Sequence, residues 1–219
     1  MQKHIISLAI LIFSGFQVWG QTNKFTTAMQ SALVQLDTAK NAAQFTAAGN
    51  TFTRIAAAET KEWLPDYYAA YAQLIAGFIT SKTDMDKGQQ LMDQAQTSLQ
   101  AAQKKASQPA DLSEIAVLQA YILIGKVTED PMAKGGELSP KIFAELGKAA
   151  AMNPANPRAP MIQGMFTLNM PEFYGGGAKN AKPLFEKAQL LFDAEKNQDI
   201  RPDWGAKQNA EFLAKASNP

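Results

Sequence analysis

The residues that most often do chemistry are nearly missing from this chain. It has no cysteine and one histidine, His4. His4 sits in an N-terminal stretch that reads as a removable leader. The mature chain would therefore lack the commonest general base and metal ligand as well as the strongest nucleophile. A disulfide framework and a zinc–thiolate site are excluded outright. Carboxylates, lysines and tyrosines remain. The carboxylates are scattered, with no two spaced as an acid and base couple, and Glu129-Asp130 reads as a solvated loop pair. No Gly-x-Ser-x-Gly or Ser-x-x-Lys pattern marks a serine hydrolase. The expectation is a protein with no catalytic, cofactor-binding or metal-binding residues. A hydrolase working through carboxylates alone would need two of them buried face to face across a cleft.

Other residues have the chemistry of recognition. Trp63, Tyr67, Tyr68 and Tyr71 fall close together at helical spacing and could form a stacking face. A tyrosine buries its ring while keeping its hydroxyl wet, so the same cluster also suits core packing. Arg158, just after the helix-starting Pro157, could clamp a ligand or pair with a carboxylate elsewhere in the fold. Tyr174 and Trp204 could stack on a sugar, and Trp204 could equally seal the end of the fold. The Gly175-Gly176-Gly177-Ala178-Lys179 turn could offer amides to an anion. It lacks the ending of a phosphate loop, and a tight turn needing positive backbone dihedrals explains it more simply. Asp84-x-Asp86-x-Gly88 resembles part of a calcium loop, but Ala95 stands where the closing glutamate belongs, so helix capping is the better reading.

These residues need a scaffold, and the composition supplies one. The chain has 219 residues, 46% of them hydrophobic and 19% charged, enough for a sizeable core. Lysine plus arginine, 21, nearly balances aspartate plus glutamate, 20, with no block of one sign. A nucleic-acid surface, which needs concentrated positive charge, is not expected. Met1 to Gly20 reads as a signal peptide: Lys3 and His4, then a short apolar run from Ile5 to Phe13, then Val18 and Gly20 before a cut at Gln21. The run is too short to span a bilayer comfortably. With no cysteine at the cut there is no lipid anchor, so the mature domain, residues 21–219, is expected free in the periplasm or outside the cell, with no stable membrane insertion.

Periodicity along the mature chain is helical throughout. Phe25, Met29, Leu33 and Leu36 mark one helix, and Ala48, Phe52 and Ile55 a second from about Ala42 to Glu59. Trp63-Leu64-Pro65 opens a third, carrying Tyr67, Tyr71, Leu74 and Phe78. Thr83 or Asp84 caps a fourth, buried along Gly88, Met92, Ala95 and Leu99. Asp111 reads as the cap of a fifth, with Glu114 reaching back to it. Thr128 to Leu138 reads as a loop, and Ser139-Pro140 as the start of a sixth helix that stops at Asn153-Pro154. Asn156-Pro157 opens a seventh and Pro171 ends it. Ala178 to about Asp193 is the eighth, and Asp203 caps a last helix from Trp204 to Ala216. No stretch alternates as a strand does.

The alternate helices repeat one pattern. Ala48-Phe52-Ile55, Gly88-Met92-Ala95, Ile142-Leu146-Ala149 and Ala181-Phe185-Ala188 all step by four and then three. Small residues let two helix backbones cross closely while a large one fills the gap beside them. With Pro154 after Ala149 and Gly164 as a small first-helix residue, the chain resembles the tetratricopeptide repeat. Its turns within pairs are longer than the family's, and the family's first-helix tryptophan and tyrosine pattern is poorly kept. Asn-Pro-Ala-Asn-Pro-Arg from Asn153, Pro171-Glu172-Phe173-Tyr174 and Pro202-Asp203-Trp204-Gly205 resemble small exported tetratricopeptide-like proteins of Bacteroidota, which carry no established activity.

The expected fold is thus all-α: a short right-handed array of about four helix pairs plus a closing helix. The resemblance implies that the concave first-helix face binds a protein or peptide partner without catalysis, with no cofactor. Candidate contacts are Trp63, Tyr67, Tyr68, Tyr71, Arg158 and Tyr174. The alternative is a periplasmic protein that binds a small molecule or glycan, in a pocket lined by tyrosine and tryptophan near the 171–177 turn.

Overall fold

The computed structural model describes residues 24–196 and 199–218. The expected leader, Met1 to Gly20, lies outside them. The described chain is all-α, with no strand. Its helices are α1 (24–38), α2 (Ala42–Ala58), α3 (Leu64–Thr80), α4 (Met85–Lys105), α5 (Pro109–Val127), α6 (Pro131–Met152), α7 (Arg158–Asn169), α8 (Ala178–Ala194) and α9 (Ala206–Ser217). A 3-10 turn, Glu172–Tyr174, lies between α7 and α8.

Successive helices pack as hairpins: α3 on α4, α5 on α6, α7 on α8, with α9 closing on α8. Short connections force this antiparallel nesting. α1 and α2 form the first pair, and Thr51 Oγ1 donates to Gln35 Oε1 between them at 3.1 Å. The first helices also touch in series, α3 on α5, α5 on α7 and α7 on α9, so they line one continuous inner face. This is the short helical array that the repeated spacing predicts.

Burial follows the small–large–small pattern. Ala48, Phe52, Met92, Ala95, Ile142, Leu146, Ala149, Ala181, Phe185 and Ala188 are all buried, and Ile55 is half-buried. The close crossings have a physical basis at Gly164, where a Cβ would lie 2.7 Å from the Phe185 ring. Met92 wedges likewise between α3 and α5, and a Cβ on Gly125 would meet its sulfur at 2.7 Å. Asp84 caps α4 as expected, accepting from the Lys87 amide at 3.0 Å.

Three helix starts differ from the sequence reading. α5 begins at Pro109 with Gln108 as its cap residue, so Asp111 and Glu114 do not form a capping box. They lie inside the helix and face arginines. α6 begins at Pro131, not at Pro140, and runs through the expected Thr128–Leu138 loop. The Asp130 side chain caps it by accepting from the Ala133 amide at 2.9 Å, with proline at the first helical position. That start outweighs the helix penalty of Gly135 and Gly136, about 1 kcal/mol each. α9 begins at Ala206, with Gly205 before it at φ 111°. Asp203 and Trp204 therefore belong to the segment that precedes the helix.

Candidate functional site

That segment, residues 199–205, crosses the inner face as a strap. Tyrosines on α3 and charged groups on α5 and α7 hold it at successive points. Gln30 Nε2 donates to Asp199 Oδ1 at 2.9 Å, and the Tyr68 hydroxyl donates to the Ile200 carbonyl at 3.1 Å. Arg201 pairs with Asp111 and lies 5.6 Å from the Trp63 ring centre. Arg158 Nη2 donates to the Pro202 carbonyl at 2.6 Å. Trp204 stacks on Tyr71 with ring centres 4.6 Å apart. A side chain at Gly205 would strike Phe192 and Met161, so the left-handed turn there also lets the strap run close to α7 and α8.

Beneath the strap is a linear hydrogen-bonded network. The Trp204 indole N–H donates to the Tyr67 hydroxyl at 2.9 Å, and that hydroxyl donates to Glu114 Oε2 at 3.2 Å. Arg158 Nη1 donates to Glu114 Oε1 at 3.3 Å and to Glu195 Oε1 at 2.7 Å, while Nη2 reaches Glu195 Oε2 at 3.1 Å. The guanidinium also lies 5.8 Å from the Phe192 ring centre and 5.5 Å from that of Trp204. Burial works against the charge on Arg158, but Glu114 and Glu195 outweigh it and hold the group firmly protonated. Burial pushes the Glu114 carboxyl up, opposed by Arg158 and the Tyr67 hydroxyl. Tyr67 is raised by burial first and then by Glu114. Burial also raises Tyr68 and Tyr71, and pushes Tyr121 up to about 12. All four stay neutral phenols at neutral pH, so they serve as hydrogen-bonding and stacking groups.

The aromatic rings form a ladder. Beyond Tyr71, Trp204 faces Tyr121 at 6.3 Å and 25°, and Tyr121 meets Phe78 at 5.1 Å. Tyr67 and Tyr68 meet edge to face at 5.4 Å, and Phe52 stacks on Tyr68 at 5.2 Å. Two cavities flank the strap. One, about 280 Å³, is lined by Glu114, Phe192, Glu195, Lys196, Arg201 and Asp203 among others. The other, about 180 Å³, has Phe45, Tyr68, Tyr71 and Trp204 as walls. Asp203 lines both, so the strap is the partition between them.

The structure resembles one solved by experiment. That structure is the HusA haemophore from Porphyromonas gingivalis, with a TM-score of 0.77 and 28% sequence identity, covering 88% of this chain and 92% of that one. The likeness therefore spans most of both chains and not one pair of helices. No protein-family model matches this chain, and no curated protein matches it.

Five of the six candidate contacts come together here. Trp63, Tyr67, Tyr68, Tyr71 and Arg158 are all buried around the strap. Tyr174 is not among them: it is 70% exposed on the α7–α8 turn, its ring against Phe173. The glycine amides of that turn are already engaged. Those of Gly175, Gly176 and Gly177 donate to the carbonyls of Glu172, Pro171 and Thr167, so they are not free for an anion. Among the described residues, no group of three or more histidine, cysteine or acidic side chains could hold a metal. No described helix is long and apolar enough to cross a membrane.

Sequence reasoning missed Asp111, Glu114, Tyr121, Glu195 and Arg201 as members of this site. One signal was there to use. The chain has only three arginines, Arg54, Arg158 and Arg201. Where lysine is the default cation, each arginine is a candidate for a built ion pair that needs its planar fork.

Proposed function

We propose that this chain is a non-catalytic binding protein for a planar, acid-edged tetrapyrrole of the haem class, held against the aromatic face under the strap. One observation carries the reading: a haemophore shares this architecture over almost its whole length, and in this chain the inner face is built from stacked neutral aromatic rings. Such rings bind a flat π-system without an axial ligand. Phenols held neutral by burial are poor ligands for iron, and the mature chain would have no histidine or cysteine to take that part. Lys196 and Arg201, on the larger cavity, are placed to meet carboxylates on the ring's edge. Neither cavity alone encloses a tetrapyrrole. Moving the strap aside would join them into a cleft on the scale of ligand pockets, ~300–1,000 Å³. On this reading the fold is a tetratricopeptide-like array, residues 1–20 are a cleaved leader, and residues 21–219 act in the periplasm or outside the cell.

The test is a titration of residues 21–219 with haemin, followed by the Soret band against an unrelated helical protein. Saturation at one site, with a dissociation constant of about 1 μM or tighter, supports the reading. A linear, non-saturating response like the control's would sink it.

A second reading, a peptide partner on the same face, has one observation in its favour. The strap is itself a short irregular peptide bound there through carbonyls and one aromatic anchor. A synthetic peptide of residues 199–205 that binds the strap-deleted chain would support it; absence of binding would remove it.

A further inference from the structure

The smaller cavity has a different chemistry from the face beneath the strap. Its walls are the rings of Phe45, Tyr68, Tyr71 and Trp204, and at its edge stand two carboxylates, Asp37 of α1 and Asp203 of the strap. No basic side chain lines it. Both carboxylates are exposed, and among the described residues neither makes a hydrogen bond or an ion pair. The nearby guanidinium of Arg158 is committed to Glu114, Glu195 and Pro202. Two like charges are thus held beside one apolar box with nothing between them to offset their repulsion.

We propose that this box binds a small methylated or quaternary ammonium group, with the aromatic rings that line it around its methyls and Asp37 and Asp203 at the mouth. Aromatic faces attract cations through the ring quadrupole, and they suit an ammonium that has no hydrogen-bond donors of its own. A hydrated metal ion fits badly, because it needs six or so oxygen ligands and the walls are carbon. The Tyr68 hydroxyl is already spent on the Ile200 carbonyl. The room is right as well: about 180 Å³ takes a trimethylammonium head but not a large ring system. In support, the Asp37 carboxyl is pushed up by partial burial first and by the charge of Asp203 second, which places the two acids within electrostatic reach. This site uses the strap in its closed place, whereas the tetrapyrrole reading moves the strap aside and takes in the same cavity, so the two ligands exclude one another and neither reading needs the other.

The experiment is calorimetric titration of residues 21–219 at constant ionic strength with tetramethylammonium, with choline, and with choline's neutral carbon isostere. Both cations are expected to bind saturably and the isostere not to bind. Asp37→Asn, at an exposed position, should weaken cation binding about fivefold, and Asp37→Lys should abolish it with the helical circular dichroism unchanged. Equal binding of the neutral isostere, no saturable binding of either cation, or Asp37→Lys binding as the parent does, would each overturn the proposal.

Discussion

Arg158→Met removes the cation that ties α5, α7, the end of α8 and the strap together. The side chain is fully buried and donates to Glu114, twice to Glu195, and to the Pro202 carbonyl. Methionine keeps much of the volume but strips the Glu114 carboxylate, only 9% exposed, of its hydrogen-bonded countercharge. Breaking one side of a buried pair in this way costs about 3–5 kcal/mol. Glu195, at 27% exposure, can hydrate and adds little. For a chain of this size that is a fall in Tm of about 6–20 °C, out of a total stability of ~5–15 kcal/mol. The assay is urea unfolding with linear extrapolation, paired with thermal melts. Arg158→Met/Glu114→Gln should recover much of the loss, because it removes the stranded charge while glutamine still accepts from Tyr67. A single-variant loss below about 1 kcal/mol, or a double variant no better than the single, would refute the view that this guanidinium neutralises a buried charge.

Other expectations follow from the same packing. Gly164→Ala puts a Cβ 2.7 Å from the Phe185 ring and should cost about 1–3 kcal/mol. Gly135→Ala, in the second turn of α6 with nothing within 4 Å of the new Cβ, should instead stabilise by up to ~1 kcal/mol. Urea midpoints for the two variants check both signs. Glu114 gives a pH dependence. Its folded carboxyl is raised by burial above the ordinary 4.5, so between that value and the raised one the folded chain holds a proton that the unfolded chain has lost. Its contribution therefore favours folding at the acid end of the window and fades as pH rises through it. Midpoints should fall more across this window in the parent than in Glu114→Gln, and an equal or smaller fall in the parent would contradict the sign. Tyr174→Ala, on an exposed turn, should change stability by less than about 0.5 kcal/mol.

Much of the fold was legible because helix periodicity and small–large packing are local. Gly88-Met92-Ala95 and Ala181-Phe185-Ala188 are four- and three-residue steps along one helix, and they are buried where those steps place them. The site was legible only in part. The Trp63–Tyr71 cluster could be seen in one stretch of chain, but what covers it comes from residues 199–205. Asp111 and Glu114 have the spacing of a capping box, and nothing nearby in sequence reveals that their partners lie 90 and 44 residues away. The α6 start was misplaced for a related reason. Gly135-Gly136 and Ser139-Pro140 read as loop and cap, while Asp130-Pro131, equally good as a start, came earlier and prevailed.

The central claim is that the strap-covered rings hold a flat ligand by stacking and not through iron. The most direct measurement is a titration of residues 21–219 with iron-free protoporphyrin beside haemin, repeated on Tyr121→Ala. Stacking requires that the iron-free ring bind within about tenfold of haemin, and that the variant weaken both by about three- to tenfold. An iron-free ring that does not bind, or a variant that binds both ligands as the parent does, would contradict it.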